Sequence, residues 1–268
     1  MAFLAVPGPF DFALTTERFR AFGVDRVNLW HEGGLHRVVD GREVRIEAAE
    51  GGVDVEPLDA DTEPVVRRLL GLPFDLDGFY TWAAEDDVLA GIVPRLAGFR
   101  PPLTPDPFEM LVGAIAAQQV SLFSATAIRS RLIERFGVRS GAAWAFPTRE
   151  RLAAAGEDEL VALGFSRRKA EYVVGLARSP LDLEPLASLP DDEVRARIVA
   201  LRGLGEWTAE WFLARHLGRP HAWPWGDLAL RKAVAVLYHG LDVREAGVRF
   251  HPHQNLSAHY LLLSQRVP

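Results

Sequence analysis

The first part of the chain alternates apolar and polar side chains in short runs, which is the two-residue period of strands in an antiparallel sheet. Glycine-containing pairs and triplets separate the runs and are typical of tight turns, at residues 32–34, 40–41 and 50–52. The pattern predicts strands at residues 26–30, 35–39, 43–47 and 53–57. A helix at residues 15–22 is expected to cover one face of this sheet.

From Thr62 onward the apolar spacing changes to the period of amphipathic helices. The proline-rich run from Pro101 to Pro105 marks the entry to a larger helical part. Residues that favour a helix N-cap open most of these segments, and we predict helices at residues 106–118, 121–136, 148–155, 157–163, 166–178, 191–200, 206–217 and 227–238, with a last helix capped by Asn255. The sequence therefore predicts an α+β protein, with an N-terminal antiparallel sheet domain at residues 1–100 and an all-α domain at residues 101–268.

Composition narrows the class of protein. Of the 268 residues, 49% are hydrophobic and 25% are charged, as in an ordinary globular protein. The absence of cysteine excludes disulfide bonds, cysteine-bound zinc and an iron–sulfur cluster. No apolar run reaches the ~20 residues that a membrane span needs, and the apolar start lacks the basic flank of a signal peptide. We therefore expect an intracellular, cytoplasmic monomer without a membrane partner.

The formal net charge of −6 gives the chain no general attraction to nucleic acid, because phosphate binding is normally driven by lysine and arginine. Arginine, which can bind a phosphate through two parallel hydrogen bonds, supplies all the basic side chains except Lys169 and Lys232. A protein that holds DNA at one place needs only a local basic surface. The total charge therefore does not exclude DNA as a partner.

The most specific local motif is the run Leu201-Arg-Gly-Leu-Gly-Glu-Trp-Thr-Ala209. Gly203 and Gly205 can adopt a positive φ, so they allow a tight turn between the helices predicted on either side. Without side chains, they also let a ligand approach the free N–H groups that begin the second helix, where the helix dipole favours an anion. The motif predicts a helix-hairpin-helix phosphate site at about residues 191–217.

Asp227 follows this hairpin and stands before Leu228-Ala-Leu230, in the position of a helix N-cap. Capping favours the charged form of a carboxyl group. A fixed carboxylate can stabilise the oxocarbenium charge that develops on a sugar during glycosidic bond cleavage, and it can orient the attacking water. Taken alone, Asp227 is either a structural N-cap or a catalytic carboxylate, and the two roles are compatible.

The hairpin, Trp207, Asp227 and the run Ala116-Ala-Gln-Gln-Val-Ser121 occur in the order found in the helix-hairpin-helix DNA glycosylases. The chain resembles that superfamily, and within it the 3-methyladenine DNA glycosylase II branch, over roughly residues 100–265 and more loosely before them. The resemblance implies that Asp227 is catalytic. It also implies a function in base excision repair, the hydrolytic removal of alkylated bases of the 3-methyladenine type that are flipped out of double-stranded DNA.

The resemblance also bears on the type of reaction. Superfamily members that cut the DNA strand as well carry a Schiff-base lysine at the position of Trp207. Since neither Lys169 nor Lys232 matches it, a monofunctional enzyme that uses water is expected. Two alternatives remain: a bifunctional glycosylase/lyase for oxidised bases, which lacks its lysine here, and a non-catalytic helix-hairpin-helix module that only binds DNA, against which Asp227 argues.

Aromatic side chains are the candidates for the base pocket, namely Trp207, Trp211 and Phe19. Tryptophans near the hairpin either fill the core or line this pocket. The resemblance implies that Trp207 lines it. A methylated purine is cationic, so the face of an indole ring would attract it.

The residues expected to contact DNA lie in three turns, and they are Gln119, Ser166, Arg167, Lys169, Gly203, Gly205 and Thr208. Gln119 is either a solvated turn residue or a wedge that fills the gap left by the flipped nucleotide. The run Ser166-Arg-Arg-Lys169 is either a solvated face or a phosphate site, because cations at a helix N-terminus otherwise oppose its dipole.

No organic or redox cofactor is implied by the sequence. The main-chain carbonyl groups of Val199, Leu201 and Leu204 match positions where relatives hold a sodium or potassium ion, which makes the hairpin rigid. The resemblance therefore implies a structural Na⁺ or K⁺ at this turn.

Overall fold

A computed structural model describes residues 1–267 of the chain. Its N-terminal part contains an antiparallel sheet with the strand order β1-β5-β4-β3-β2. The strands are β1 Ala2–Ala5, β2 Leu29–His31, β3 Gly34–Val39, β4 Arg42–Ala49 and β5 Gly52–Glu56. The four strands predicted from the sequence all form. The sequence pattern misses β1, which pairs Leu4 with Val53, because a four-residue strand is too short to show the alternation.

The remainder of the chain is mainly helical, which confirms the predicted α+β class. The helices are α1 Phe12–Thr16, α2 Arg18–Ala21, α3 Thr62–Leu69, α4 Leu76–Ala83, α5 Leu89–Ile92, α6 Pro107–Ala117, α7 Leu122–Phe136, α8 Arg149–Ala154, α9 Glu157–Ala162, α10 Arg167–Arg178, α11 Asp191–Val199, α12 Glu206–Phe212, α13 Leu228–Leu237, α14 Val243–Arg249 and α15 Gln254–Ser264. A small hairpin of β6 Val138–Ser140 and β7 Ala143–Ala145 lies between α7 and α8. None of the described helices has both the length and the apolar character needed to cross a membrane.

Local capping chemistry explains where most helices begin. The side chains of Asp106, Ser121, Thr148 and Ser166 each accept a hydrogen bond from the main-chain N–H group three residues later, as predicted. The prediction that Asn255 caps the last helix is wrong. Asn255 lies within α15, fully buried, and its Nδ2 donates to the carbonyl oxygens of two residues that follow α12 at 3.0 and 2.9 Å.

Three clusters of buried side chains form the core. One joins α6, α7 and α10 to α12, and another joins the sheet to helices α1 to α3. The remaining cluster packs residues from Phe74–Leu103 against residues from Trp223–Leu263, so α4 and α5 share a core with the C-terminal helices. The two-domain division at residue 100 stays a prediction, and the buried clusters do not separate at that residue.

Buried ion pairs connect the sheet to the helical part. Arg37 on β3 contacts Glu109 on α6 at 2.6 Å, and both side chains are almost fully buried. Arg129 on α7 contacts the same Glu109 at 2.6 Å and Asp25, in the loop before β2, at 2.5 Å. Because these groups pair within the protein interior, they fix the loop at residues 22–28 against α6 and α7, where a large cavity opens.

Candidate active site

Asp227 is the N-cap of α13 and is held by four hydrogen bonds. Its Oδ1 accepts from the main-chain N–H groups of Ala229 at 2.9 Å and Leu230 at 3.1 Å. Its Oδ2 accepts from the indole Nε1 of Trp207 at 3.0 Å and of Trp211 at 3.1 Å. The carboxylate is therefore fixed in position while the side chain stays partly exposed.

Trp207 and Trp211 lie one turn apart on α12, so both indole N–H groups reach the same carboxylate. Trp207 is half-buried, whereas Trp211 is 2% exposed. The guanidinium of Arg215 lies over the Trp211 ring, 3.6 Å from its centre. Arg215 thus covers one face of this ring, and the assignment of Trp211 to the base pocket stays a prediction. Through its Nε1, Trp211 also positions Asp227.

Asp227 lies at a cavity of about 950 Å³, which is large enough for a flipped nucleotide. All three aromatic residues predicted for the base pocket, Trp207, Trp211 and Phe19, line this cavity. Phe19 reaches it from α2 and is otherwise packed in the core of the sheet. The cavity thus lies between the N-terminal part, α6, α7 and the helix-hairpin-helix segment.

Sequence reasoning missed the cationic side chains of the cavity. Arg18 on α2, Arg215 after α12 and Arg266 after α15 all line it, together with His259. Burial and the guanidinium groups of Arg215 and Arg18 lower the pKa of His259 to about 3, so this imidazole is neutral at pH 7. No sequence signal marks these residues as a group, because they come from three distant parts of the chain.

The hairpin glycines have different roles in the structure. Gly203 has a φ of +85°, and a Cβ there would overlap the ring of Tyr172, so both backbone and space require glycine. The expectation of a positive φ at Gly205 is wrong. Gly205 is the N-cap of α12 with a φ of −130°, and a Cβ there would meet open space. Its missing side chain leaves the helix N-terminus accessible.

Thr208 is 1% exposed, so it lies in the cavity wall and not on the exposed surface of the turn.

The turn between α6 and α7 forms part of the cavity rim. Gln119 is exposed there with a φ of +55°, and Nε2 of Gln118 donates to the carbonyl oxygen of Gly203 at 2.8 Å. The hydrogen bond ties this turn to the hairpin. Apolar side chains are exposed beside Gln119, namely Val120, Leu122 and Phe123. The rim can therefore contact the face of a nucleobase as well as phosphate.

At the N-terminus of α10, one of the three residues predicted to contact DNA is turned into the protein interior. Ser166 caps the helix, and Arg167 is exposed and lies 3.2 Å from Asp158. Lys169 is 8% exposed, and its Nζ donates to the carbonyl oxygen of Ala116 at 2.9 Å. The expected contact of Lys169 with DNA is therefore wrong, because its ammonium group fastens α10 to the end of α6.

The carbonyl groups of the hairpin have the chemistry of a cation site. Val199 ends α11, where the last carbonyl groups of a helix lack partners in the helix. The carbonyl oxygen of Leu201 accepts from the N–H group of Leu204 at 3.1 Å, and its second lone pair stays available. Neutral carbonyl oxygens suit a hard monovalent cation. The group of Val199, Leu201 and Leu204 is thus chemically fit for Na⁺ or K⁺.

Comparisons with known proteins indicate the class to which this chain is similar. Residues 112–244 match the HhH-GPD superfamily of base excision DNA repair proteins. The chain is 31% identical to a DNA-3-methyladenine glycosylase of Bacillus subtilis over 180 residues, which is 64% of this chain and 59% of that protein. It is 31% identical to DNA-3-methyladenine glycosylase 2 of Escherichia coli, over 59% of this chain and 58% of that protein. The chain thus spans less than two thirds of these two relatives.

Among solved structures, the 3-methyladenine DNA-glycosylase from Archaeoglobus fulgidus superposes with a TM-score of 0.89 and is 28% identical, covering 99% of this chain and 98% of that one. The hairpin and the capped carboxylate at a cavity define the class, a helix-hairpin-helix fold of the base excision type. The chain belongs to the HhH-GPD superfamily of base excision DNA repair proteins.

Proposed function

We propose that the protein is a monofunctional DNA glycosylase that removes alkylated bases of the 3-methyladenine type from double-stranded DNA. The observation that carries the proposal is Asp227, fixed by four N–H donors at a cavity that can hold a flipped nucleotide. The names of the similar proteins from Bacillus subtilis, Escherichia coli and Archaeoglobus fulgidus support the same substrate class.

In this mechanism the bond between C1′ of the sugar and the base nitrogen breaks, and both bonding electrons leave with the base. The sugar becomes oxocarbenium-like, and Asp227 stabilises its positive charge. A water molecule then adds to C1′, and Asp227 can accept its proton. The two indole donors and the two main-chain donors hold the carboxylate in place, so little reorganisation is needed in the transition state.

DNA would approach the surface that contains the hairpin and the two turns beside it. The open N-terminus of α12 at Gly205 offers N–H groups to a backbone phosphate. Ser166 and Arg167 provide a second exposed contact at α10. Gln119, exposed at the cavity rim in a left-handed conformation, would fill the space that the flipped nucleotide leaves. These contacts position the duplex without reading its sequence.

The monofunctional reaction is supported by the placement of the lysines. No lysine is among the described residues that line the cavity, and Trp207 occupies the expected position of the Schiff-base nucleophile. Lys169 is buried against α6, and Lys232 is exposed on α13. The alternative of a glycosylase/lyase for oxidised bases therefore lacks its nucleophile. The alternative of a non-catalytic module does not account for a fixed carboxylate at a large cavity.

Two further proposals concern the whole protein. A Na⁺ or K⁺ held by the carbonyl groups of Val199, Leu201 and Leu204 would make the hairpin rigid, and the reaction needs no other cofactor. The protein acts as a monomer, since one chain contributes the carboxylate, the cavity walls and the hairpin.

The proposal is tested by base release from a methylated duplex, with the freed bases identified by mass. Asp227→Asn should abolish release and leave DNA binding nearly intact, because it removes charge stabilisation made only in the transition state. Asp242→Asn, which alters the corresponding cap of α14, is the matched control. A single-turnover rate for Asp227→Asn above about a tenth of the wild-type rate, a loss under ~1.4 kcal/mol, contradicts the catalytic assignment.

A further inference from the structure

The cationic groups of the cavity differ in how far they are neutralised. Four carboxylates line the cavity, and three of them are engaged by arginine. Glu17 lies 2.9 Å from Arg266, and Arg129 lies 2.5 Å from Asp25 and 2.6 Å from Glu109. Only Asp227 remains, and its oxygens already accept four N–H groups.

Arg18 and Arg215 are the two guanidinium groups left without a carboxylate partner. Within residues 1–267, no carboxylate or carbonyl oxygen accepts a hydrogen bond from Arg18. Arg215 lies over Trp211, and its Nε donates to Nε2 of His259 at 3.5 Å, which leaves its terminal N–H groups free. His259 is neutral and adds no counter-charge. This end of the cavity thus has guanidinium donors that no acceptor uses, although the four arginines and four carboxylates of the lining balance in number.

These groups also affect one another. Desolvation and the guanidinium groups of Arg18 and Arg266 lower the pKa of Arg215 well below its usual value, although Asp227 acts in the opposite direction. Desolvation within the cavity and the guanidinium of Arg266 lower the pKa of Arg18 to about 10, although Asp25 and Glu17 act in the opposite direction, so Arg18 remains charged at pH 7. The mutual repulsion is relieved by a ligand that brings acceptor atoms or negative charge.

Position relative to Asp227 decides which part of a nucleotide meets these donors. Asp227 faces the sugar carbon at which the bond breaks, and the base extends from that carbon. Trp211 touches Asp227 through its Nε1 and carries Arg215 on its ring face, so the guanidinium is one indole ring away from the carboxylate. Arg18 lines the same cavity from α2, and it lies near enough to Arg215 and His259 to lower the pKa of both. Both groups therefore lie beside the base rather than the sugar.

We propose that Arg18 and Arg215 determine the specificity of the cavity by binding the acceptor edge of a neutral base and stabilising the electron pair that this base takes when it leaves. The inference rests on the proposed glycosylase function and extends its substrate class from cationic, alkylated bases to neutral ones. A neutral base departs with a developing negative charge, which the guanidinium groups stabilise in the transition state. A cationic base departs as a neutral molecule and meets repulsion while it is bound. The two arginines thus oppose the attraction that the indole rings give a cation.

Two matched substrates separate these effects: a duplex with one hypoxanthine, which is neutral, and the same duplex with one 7-methylguanine, which is cationic. Both bases carry a carbonyl group on the same edge. Arg18→Gln and Arg215→Gln should each lower kcat/KM for hypoxanthine by about tenfold or more, and lower kcat/KM for 7-methylguanine less or raise it. Lysine at either position should restore part of the loss. Arg95 is exposed and lies outside the cavity, so Arg95→Gln is the control and should leave kcat/KM unchanged for both substrates.

The outcomes are distinguishable. Equal losses on both substrates, together with weaker binding of undamaged duplex, would assign the arginines to backbone phosphate and overturn the inference. Equal kcat/KM values for wild type and both variants would overturn it as well. A wild-type enzyme that releases 7-methylguanine and no hypoxanthine overturns the inference and supports the proposed function. A wild-type enzyme that releases neither hypoxanthine nor 7-methylguanine also overturns the inference, and release of 3-methyladenine from the methylated duplex then decides the proposed function. The inference is supported if the ratio of kcat/KM for 7-methylguanine to kcat/KM for hypoxanthine is higher in the glutamine variants than in the wild type.

Discussion

At the scale of single residues, Oδ2 of Asp227 depends on two indole N–H groups. A hydrogen bond to a charged group contributes about 1.5–3 kcal/mol, and the loss of one donor lets the carboxylate rotate away from the sugar. The tryptophans therefore matter here as donors, in addition to filling space. A substitution that keeps an aromatic ring and removes the N–H group isolates this role.

Trp207→Phe is expected to lower kcat about tenfold, with little change in KM or in DNA binding. Single-turnover base release and duplex binding measure the two effects. Trp82→Phe is the matched control, because Trp82 packs against Phe79 and Phe250 away from the cavity. If Trp207→Phe raises KM and leaves kcat unchanged, Trp207 contacts the base and does not position Asp227.

The same position decides how the reaction ends. Because an indole replaces an amine at residue 207, we expect an intact strand with an abasic site. Borohydride added during turnover should trap no covalent adduct between protein and DNA, as seen on a denaturing gel. Trapping that disappears in Lys169→Gln or Lys232→Gln would contradict the monofunctional mechanism.

At the scale of elements, the hairpin between α11 and α12 uses its two glycines for separate purposes. Gly203 is required for the fold, because its backbone is left-handed and a side chain there would overlap Tyr172. Gly205 meets the needs of access to the N-terminus of α12. Folding and DNA binding can therefore be separated by substitution within one turn.

Gly203→Ala should lower Tm, because the strained backbone costs about 1–3 kcal/mol and Tyr172 must also move. Each kcal/mol corresponds to about 2–4 °C for a chain of this size.

Gly205→Val should leave Tm within about 2 °C of wild type and weaken binding to undamaged duplex. Thermal melting and binding titrations test both. A folded Gly205→Val protein that binds DNA as tightly as wild type would show that the hairpin is not the phosphate anchor.

At the scale of the whole molecule, the cavity is formed by the N-terminal and helical parts together. Arg129 joins the loop before β2 to α7 through Asp25, and it joins α6 through Glu109. Burial acts to raise the pKa of Asp25, but Arg129 and the N–H groups of Val27 and Asn28 outweigh it, so the pKa is lowered from 3.8. The ionised carboxylate therefore stabilises the folded state.

A lowered pKa in the folded state fixes the sign of the pH dependence. The stabilisation from Asp25 is fully present above the unfolded-state pKa near 3.8 and is lost as the pH falls through the lower folded-state pKa. Asp25→Asn should lower Tm by about 4 °C or more at pH 6, and the difference from wild type should shrink below about pH 4. Asp61→Asn, at an exposed site, is the control. A difference in Tm that does not change between pH 6 and pH 3 would show that the ion pair is not the cause.

The sequence by itself determined the local structure and the carboxylate. Alternation gave four of the five sheet strands, and capping residues such as Asp106, Ser121 and Ser166 gave the helix starts, because these signals depend on neighbours within a few residues. Glycine at residue 203 and the capping position of Asp227 are likewise local. The short strand β1 and helix α14 were not predicted, because their apolar runs are too short to show a period.

Only the tertiary structure decided which side chains share the cavity. Lys169 was expected at the surface, yet its ammonium group binds the carbonyl oxygen of Ala116, 53 residues away. Trp211 was expected in the base pocket, and the structure adds that its N–H group holds Asp227 while Arg215 covers one face of its ring. Arg18 and Arg215 line the same cavity as Asp227 although the two arginines are far apart in the chain. Burial, charge and hydrogen-bond partners at the site depend on contacts between remote elements, and no period or spacing in the sequence encodes them.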